Sequence, residues 1–266
     1  MAEYPEFAGK VLVATAGASF IVQALARQFV GNGGAIVLGD RDSSGIEHLL
    51  NDVGDSARFQ VIDVADDADL DRLVDVAVSD FGGLDYAVSA HTSFECGYLE
   101  TTREQWRTSL DVNVAGAAMF LTKCATHMRN RGGGACVLVT SISGKVSQPN
   151  RLVYPVTKAA LLGLNRNLSQ ALAPDGIRVN SVSPGWTWSR NLERRYGTRE
   201  YADAFAAEFQ LAGRMADPEE IADAICYLCS SGASFITGTD MAVDGGYGAL
   251  GPEALGQANA KHPPLA

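Results

Sequence analysis

The stretch KVLVATAGASFIVQALARQFVGNGGAIVLGD, residues 10–40, decides the fold. Residues 11–15 form a short apolar run closed by a Gly-containing turn, which is the pattern of a buried strand. Ile21, Leu25 and Phe29 then recur every four residues, which lays one apolar stripe along a helix over 20–30. A second apolar run over 35–38 ends at Asp40. Strand, helix and strand within about 30 residues make a βαβ unit, the building block of a parallel sheet.

The same alternation continues along the chain. A helical pattern over 44–53 leads to a strand at 59–62. Residues 69–81 place Leu70, Leu73, Val74 and Ala77 on one helical face, and 86–88 read as a strand. One long helix is expected over 103–129, with Trp106, Leu110 and Val114 in its stripe, ended by the glycines 132–134. A strand over 135–140 precedes a helix over 153–173, with Leu161, Leu164, Leu168 and Leu172 turned inward and Pro155 tolerated in its first turn. A strand at 177–181, a helix at 218–230 and a last strand at 241–243 complete the series. Residues 186–210 break the rhythm; the aromatic, Arg-rich segment at about 186–212 is expected to form a substrate lid. The tail, about 247–266, is poor in core formers and is expected on the surface or against a neighbouring subunit. With no internal repeat and no linker, 1–266 read as a single α/β domain: one Rossmann-type, doubly wound parallel sheet flanked by helices.

Composition narrows the functional classes. The chain has 266 residues, 47% of them hydrophobic, and a net charge of −10. That charge, with no basic stripe, disfavours nucleic acid as a partner. The N-terminal MAEYPEFAGK lacks the pattern of a signal peptide, and no run reaches the roughly 18 apolar residues of a membrane span. The five cysteines, an odd number, imply reduced thiols and a cytoplasmic location. Cys226 and Cys229 form a C-x-x-C inside an amphipathic helix pattern with no second ligand pair, so they read as buried thiols, and the histidines show no metal-ligand spacing. No metal is expected.

The chemistry is carried by SISGKVSQPNRLVYPVTK, residues 141–158. Tyr154 and Lys158 are four apart, hence on one helical face with Cβ atoms roughly 5–6 Å apart. A phenol has a pKa near 10 and is a poor base at neutral pH. A neighbouring ammonium is expected to lower it, giving a group that takes or gives a proton near pH 7. Ser141 would add a hydroxyl to hold a substrate oxygen beside that phenol.

These segments resemble the short-chain dehydrogenase/reductase family from about residue 10 to residue 246. DVNVAG places Asn113 at the family's tetrad asparagine, VLVTSISG places Ser141 at its serine, and Tyr154 and Lys158 match its Tyr-x-x-x-Lys. GIRVNSVSPGW (176–186) and the stretch 213–246 resemble its Pro-Gly turn and C-terminal signature. The resemblance implies that Tyr154 donates or accepts the proton at the reacting oxygen. It implies that Lys158 lowers the phenol pKa and holds the cofactor ribose, that Ser141 orients the substrate and that Asn113 supports a water relay. It implies cofactor contacts at Ile21, Asp40, Asp63, Val64, Tyr154, Lys158 and Thr187. A carboxylate at Asp40 favours NAD over NADP, because it accepts from ribose hydroxyls and repels a 2′-phosphate. A small-molecule substrate, an apolar or aromatic alcohol or ketone walled by Trp186, Trp188 and Tyr196, and a homo-oligomer, tetramer or dimer, built on helices 103–129 and 153–173, are further expectations.

Two stretches depart from that pattern. The family's Thr-Gly-x-x-x-Gly-Ile-Gly is Thr15-Ala16-Gly17-Ala18-Ser19-Phe20-Ile21-Val22 here, so every motif glycine is replaced. Its Asn-Asn-Ala-Gly is Ser89-Ala90-His91-Thr92. Three functions stay open: an NAD-linked alcohol–ketone oxidoreductase; a non-redox enzyme without cofactor, similar to the halohydrin dehalogenases, which share Thr15 and Phe20 of this loop; and a non-catalytic binding protein of the same fold.

Overall fold

The computed structural model describes residues 3–94 and 98–251. Cys96 and the expected tail beyond Gly251 lie outside the described residues. Seven strands form one sheet: β1 (Val11–Thr15), β2 (Ala35–Asp40), β3 (Ala57–Val61), β4 (Tyr86–Ser89), β5 (Gly134–Val139), β6 (Ile177–Pro184) and β7 (Asp240–Val243). Their order is β3-β2-β1-β4-β5-β6-β7, and every neighbouring pair is parallel. Parallel strands need crossovers, and helices covering both faces explain why β1 and β4 are buried at every position and read as unbroken apolar runs.

The helices are α1 (Phe20–Gly31), α2 (Ile46–Val53), α3 (Asp67–Phe81), α4 (Arg103–Leu110), α5 (Gly116–Asn130), α6 (Val153–Leu172), α7 (Arg190–Tyr196), α8 (Arg199–Ala206) and α9 (Pro218–Cys229). One face of the sheet packs α1, α2 and α9 through Leu25, Phe29, Leu49, Ile221 and Ile225. The other packs α3, α5 and α6 through Leu70, Leu73, Phe120, Leu121 and Leu161. The chain leaves β1 toward β2 on one side and reaches β4 on the other, so the strand order reverses between β1 and β4. A crevice opens at such a point beyond the carboxyl ends of the strands.

The expected long helix over 103–129 is interrupted. Asp111–Ala115 form a π turn between α4 and α5, closed by the Gly116 N–H donating to the Asp111 carbonyl. The expected stripe of Trp106, Leu110 and Val114 is not the buried face: Leu110 is 40% exposed, while Ser109, Val112 and Asn113 turn inward. The segment 186–210 folds as α7 and α8 over a small cluster of its own, in which Trp186, Trp188 and Phe205 pack against Ala202, Ala206 and Met215.

At the opposite end of the sheet from the crevice, Asp85 joins three elements. Its carboxylate accepts from the Val11 N–H at 3.0 Å, from Lys10 Nζ at 3.0 Å and from Arg131 Nη2 at 3.0 Å. Burial pushes this carboxyl up, but the bonds from Arg131, Lys10 and Val11 outweigh it and hold Asp85 below the usual carboxylate value. Asp85→Ala would strand a buried N–H and two cations. It is expected to lower stability by about 3 kcal/mol in a denaturant titration.

Candidate active site

Ser141 follows β5 and caps a short turn, Ile142–Gly144; its Oγ accepts from the Ser143 N–H at 3.1 Å. That turn lies directly on α6. A Cβ at Gly144 would sit 2.8 Å from the Lys158 main-chain carbon, so only glycine lets the turn approach so closely. The approach brings the Ser141 hydroxyl beside the Tyr154 phenol on the first turn of α6, near enough to lower its pKa. Lys158 follows one turn later, its Nζ 5.7 Å from the Tyr154 ring centroid. Ser141, Tyr154 and Lys158 are therefore brought together.

Their electrostatics differ from what the spacing implies. Burial pushes the Tyr154 phenol above its ordinary value, against the lowering effects of the Ser141 hydrogen bond and the Arg151 charge. The Lys158 ammonium does not reverse this, for two reasons. Its Nζ donates to the Val139 main-chain carbonyl at 2.8 Å, and burial pushes its own pKa down to about 7. An amine near half-charge at neutral pH is a weak electrostatic lever.

Asn113 lies in the π turn with its side chain fully engaged. Its Oδ1 accepts from the Ser93 N–H at 2.5 Å, and its Nδ2 donates to the Ser93 carbonyl at 3.1 Å and to Thr157 Oγ1 at 3.0 Å. It thus ties the segment after β4 to α6, one residue before Lys158. The sequence reveals nothing comparable about His91, yet His91 makes the companion tie. Its Nε2–H donates to the Val112 carbonyl in the π turn at 3.0 Å, which leaves Nδ1 to accept from the Thr15 hydroxyl at 2.8 Å. Thr15 Oγ1 accepts in turn from the Ala90 N–H at 3.1 Å.

Two contiguous clefts occupy the crevice. One of about 330 Å³ runs past Asp40, Val64 and Phe20; the other, of about 480 Å³, holds Ser141, Tyr154 and Lys158. Ser19, Ala90 and Thr92 line both. Of the expected cofactor residues, Asp40 and Val64 fall in the first cleft, and Ile21, Tyr154, Lys158 and Thr187 in the second. Asp63 is in neither lining: its carboxylate accepts from the Ala65 N–H at 3.0 Å and faces Arg41 at 3.8 Å. Trp186 lines the second cleft, while Trp188 and Tyr196 pack within the lid cluster.

Asp40 accepts from the Ala18 and Asp42 N–H groups at 3.0 and 3.1 Å, which anchors the altered loop and leaves carboxylate lone pairs for further donors. Ala16 sits at φ +62°, a left-handed conformation that costs a non-glycine residue about 1 kcal/mol. The Phe20 ring opens α1 and lies beneath the Arg190 guanidinium, 5.7 Å away. Arg190 also donates to the Ser44 carbonyl at 3.2 Å, so α7 is fastened across the first cleft. Thr92 Oγ1, which lines both clefts, is buried without a hydrogen-bond partner. A buried hydroxyl left so calls for a ligand atom. Together with Asp40 it suits a ligand carrying sugar hydroxyls, and these residues fit a nicotinamide nucleotide at its two ends; Phe20 and Arg190 crowd the stretch between.

Among the described residues no helix is long and apolar enough to cross a membrane, and no group of His, Cys, Asp and Glu could hold a metal ion. Cys226 and Cys229 are buried thiols whose pKa burial raises, Cys229 to about 12.

Burial, and then the Lys158 charge, push the His91 imidazole down to about 4. An unfolded histidine binds its proton near pH 6.5, so between these values the unfolded chain holds more protons. The contribution of His91 to stability is therefore complete above about pH 6.5 and is lost as pH falls toward 4. In denaturant titrations at stepped pH, the stability difference between wild type and His91→Asn is expected to shrink by on the order of 3 kcal/mol across this window.

Comparison with known proteins agrees with this geometry. The family model described as "Enoyl-(Acyl carrier protein) reductase" matches residues 16–248. A cis-4-hydroxycyclohexanecarboxylate dehydrogenase of Sinomonas cyclohexanicum is 36% identical over 248 residues, covering 92% of this chain and 98% of its own. Human dehydrogenase/reductase SDR family member 4 is 34% identical, over 90% of this chain and 87% of its own. The solved structure of a mutant short-chain dehydrogenase/reductase of Serratia marcescens superposes with a TM-score of 0.82 at 29% identity, covering 91% of this chain and 98% of its own. The chain belongs to the short-chain dehydrogenase/reductase family and is an oxidoreductase of that type.

Proposed function

We propose that the enzyme interconverts a secondary alcohol and a ketone with a nicotinamide cofactor, NAD in preference to NADP. The observation that carries this reading is that Ser141 and Tyr154 line one cleft of about 480 Å³, with buried Lys158 one turn away. The cofactor, when bound, supplies the hydride donor or acceptor. Every proton movement falls to the chain. Tyr154 Oη, kept protonated at neutral pH by burial, donates its proton to the ketone oxygen in reduction; in oxidation it must first release that proton, and its phenolate then takes the alcohol proton. Ser141 Oγ holds the same substrate oxygen. Lys158 is the buried amine through which a nearby charge can be switched, since its pKa of about 7 makes it respond to whatever is bound beside it. Asn113 positions rather than reacts, through Ser93 and Thr157.

Asp40 supports NAD: a carboxylate at the end of β2 repels a 2′-phosphate, and Arg41 beside it faces Asp63 at 3.8 Å. Phe94, stacked on Tyr154 at 5.0 Å, together with Trp186 and Leu192 gives the substrate cleft apolar walls. The Sinomonas relative is named for a ring alcohol of this kind, which supports a secondary alcohol as substrate. Exposed Met119 on α5 and Val156 on α6 support a homo-oligomer assembled through those helices. The crowded loop at Phe20 favours one other reading, non-redox chemistry at Ser141 and Tyr154; halide release from a halohydrin without NAD would select it.

Tyr154→Phe is expected to lower NAD-linked turnover about a thousandfold with an unchanged circular dichroism spectrum; undiminished turnover would remove Tyr154 from the mechanism. The lost glycines predict weak cofactor binding, measured by titrating NADH against tryptophan fluorescence. Wild type should fail to saturate at low micromolar NADH, and Phe20→Gly should bind more tightly; equal affinities would show the ring to be harmless.

A further inference from the structure

The second cleft carries charge of one sign. Its lining includes the cations Arg151, Lys158 and Arg195 and no Asp or Glu, in a chain whose net charge is −10. Lys158 is occupied at the Val139 carbonyl, and Arg195 lies at the exposed rim over the Tyr196 ring. Arg151 differs from both. Its guanidinium carbon lies 5.4 Å from the Trp186 ring and 5.9 Å from the Tyr154 ring, held between two aromatic side chains. Among the described residues no carboxylate pairs with it and no carbonyl accepts from it, whereas Arg190, Arg199 and Arg214 of the same region all have such partners. Aromatic contacts hold the guanidinium in place and leave its forked N–H donors to an acceptor. The acceptor that matches this fork is a carboxylate, bound through two parallel hydrogen bonds. Phe94, Trp186 and Leu192 line the same cleft and offer apolar surface to the rest of such a ligand.

We propose that the substrate is a carboxylic acid that also carries the reacting secondary alcohol or ketone, its carboxylate held by Arg151 while its oxygen reaches Tyr154 and Ser141. This rests on the redox reading for the alcohol, but not for the anion. The guanidinium stands beside the Tyr154 ring, so carboxylate and reacting oxygen are presented from one carbon skeleton within a single cleft. Arg195 at the rim adds a second positive charge along the entrance.

The test is calorimetric titration of the full chain, with and without NADH, using cyclohexanecarboxylate and its methyl ester. The acid is expected to bind about tenfold or more tightly than the ester, with an affinity that falls as salt rises. Arg151→Gln should erase the preference, and Arg151→Lys, which keeps the charge without the fork, should restore part of it. Equal binding of acid and ester, no binding of either, or an equal loss of both in Arg151→Gln would overturn the proposal. So would a loss of NADH affinity in Arg151→Gln with acid binding intact, since Arg151 would then hold the cofactor diphosphate. NAD-linked turnover of neutral cyclohexanol and of cis-4-hydroxycyclohexanecarboxylate separates the two readings. Acid binding without turnover of either alcohol removes the redox reading alone; turnover of cyclohexanol without an acid preference removes the anion site alone.

Discussion

The cleft depends on a buried polar knot at the reversal point of the sheet. Thr15 at the end of β1 bonds His91 after β4, and His91 bonds the carbonyl of Val112 in the π turn. One residue on, Asn113 bonds Ser93 and Thr157, and so reaches α6. Four elements are joined by neutral hydrogen bonds in a region without solvent. Breaking one member would leave its partners unsatisfied at about 1–3 kcal/mol each, which is why such a network holds a geometry more firmly than apolar packing. The positions of Tyr154 and Lys158 are inherited from it.

Burial sets the chemistry as well. Tyr154, Lys158 and His91 all move toward their neutral forms. In that setting the Arg151 guanidinium stands out, because it is set between two rings and no carboxylate among the described residues faces it. Its guanidinium leans on the Tyr154 and Trp186 rings, and the side chain remains half-buried. The cleft thus sets two groups shifted toward neutrality, Tyr154 and Lys158, beside the guanidinium groups of Arg151 and Arg195.

The sheet was legible in the sequence because parallel strands covered on both faces read as short apolar runs and their crossovers as stripes of period near four. Val11–Thr15, Asp40 and the α6 stripe ending at Leu172 all lie where those patterns put them. The π turn was not: it buries the polar Ser109 and Asn113 and leaves Leu110 exposed, against the apolar spacing of the sequence. Nor was the direction of the Tyr154 shift: spacing places an amine near a phenol but says nothing of the Val139 carbonyl that claims the amine. Asp63 matched a motif, yet its carboxylate turns back on its own loop at Ala65. Trp188 and Tyr196 are aromatic residues of the lid segment, but side-chain direction in a lid is fixed by tertiary packing, and of the three expected wall residues only Trp186 faces the cleft.

The altered loop touches both clefts, Ser19 and Ile21 reaching the second, but its departures at Ala16 and Phe20 do not enter the cleft of Tyr154. Ala16 and Phe20 line the first, beside Asp40; Ser141, Tyr154 and Lys158 line the second. The substitutions also compensate one another. Ala16 holds its left-handed backbone because Ala18 is pinned to Asp40, and Gly17 is pressed so near Leu38 that a Cβ there would lie 3.0 Å from the Leu38 Cβ. Phe20, which would otherwise expose a ring to solvent, is covered by Arg190 from the lid, and Arg190 in turn fastens to Ser44 beyond β2. Loss of the glycines thus exchanges an open, flexible loop for one clamped between strand and lid. The Arg190 contact with Phe20 thus borders the first cleft, and Arg195 borders the second.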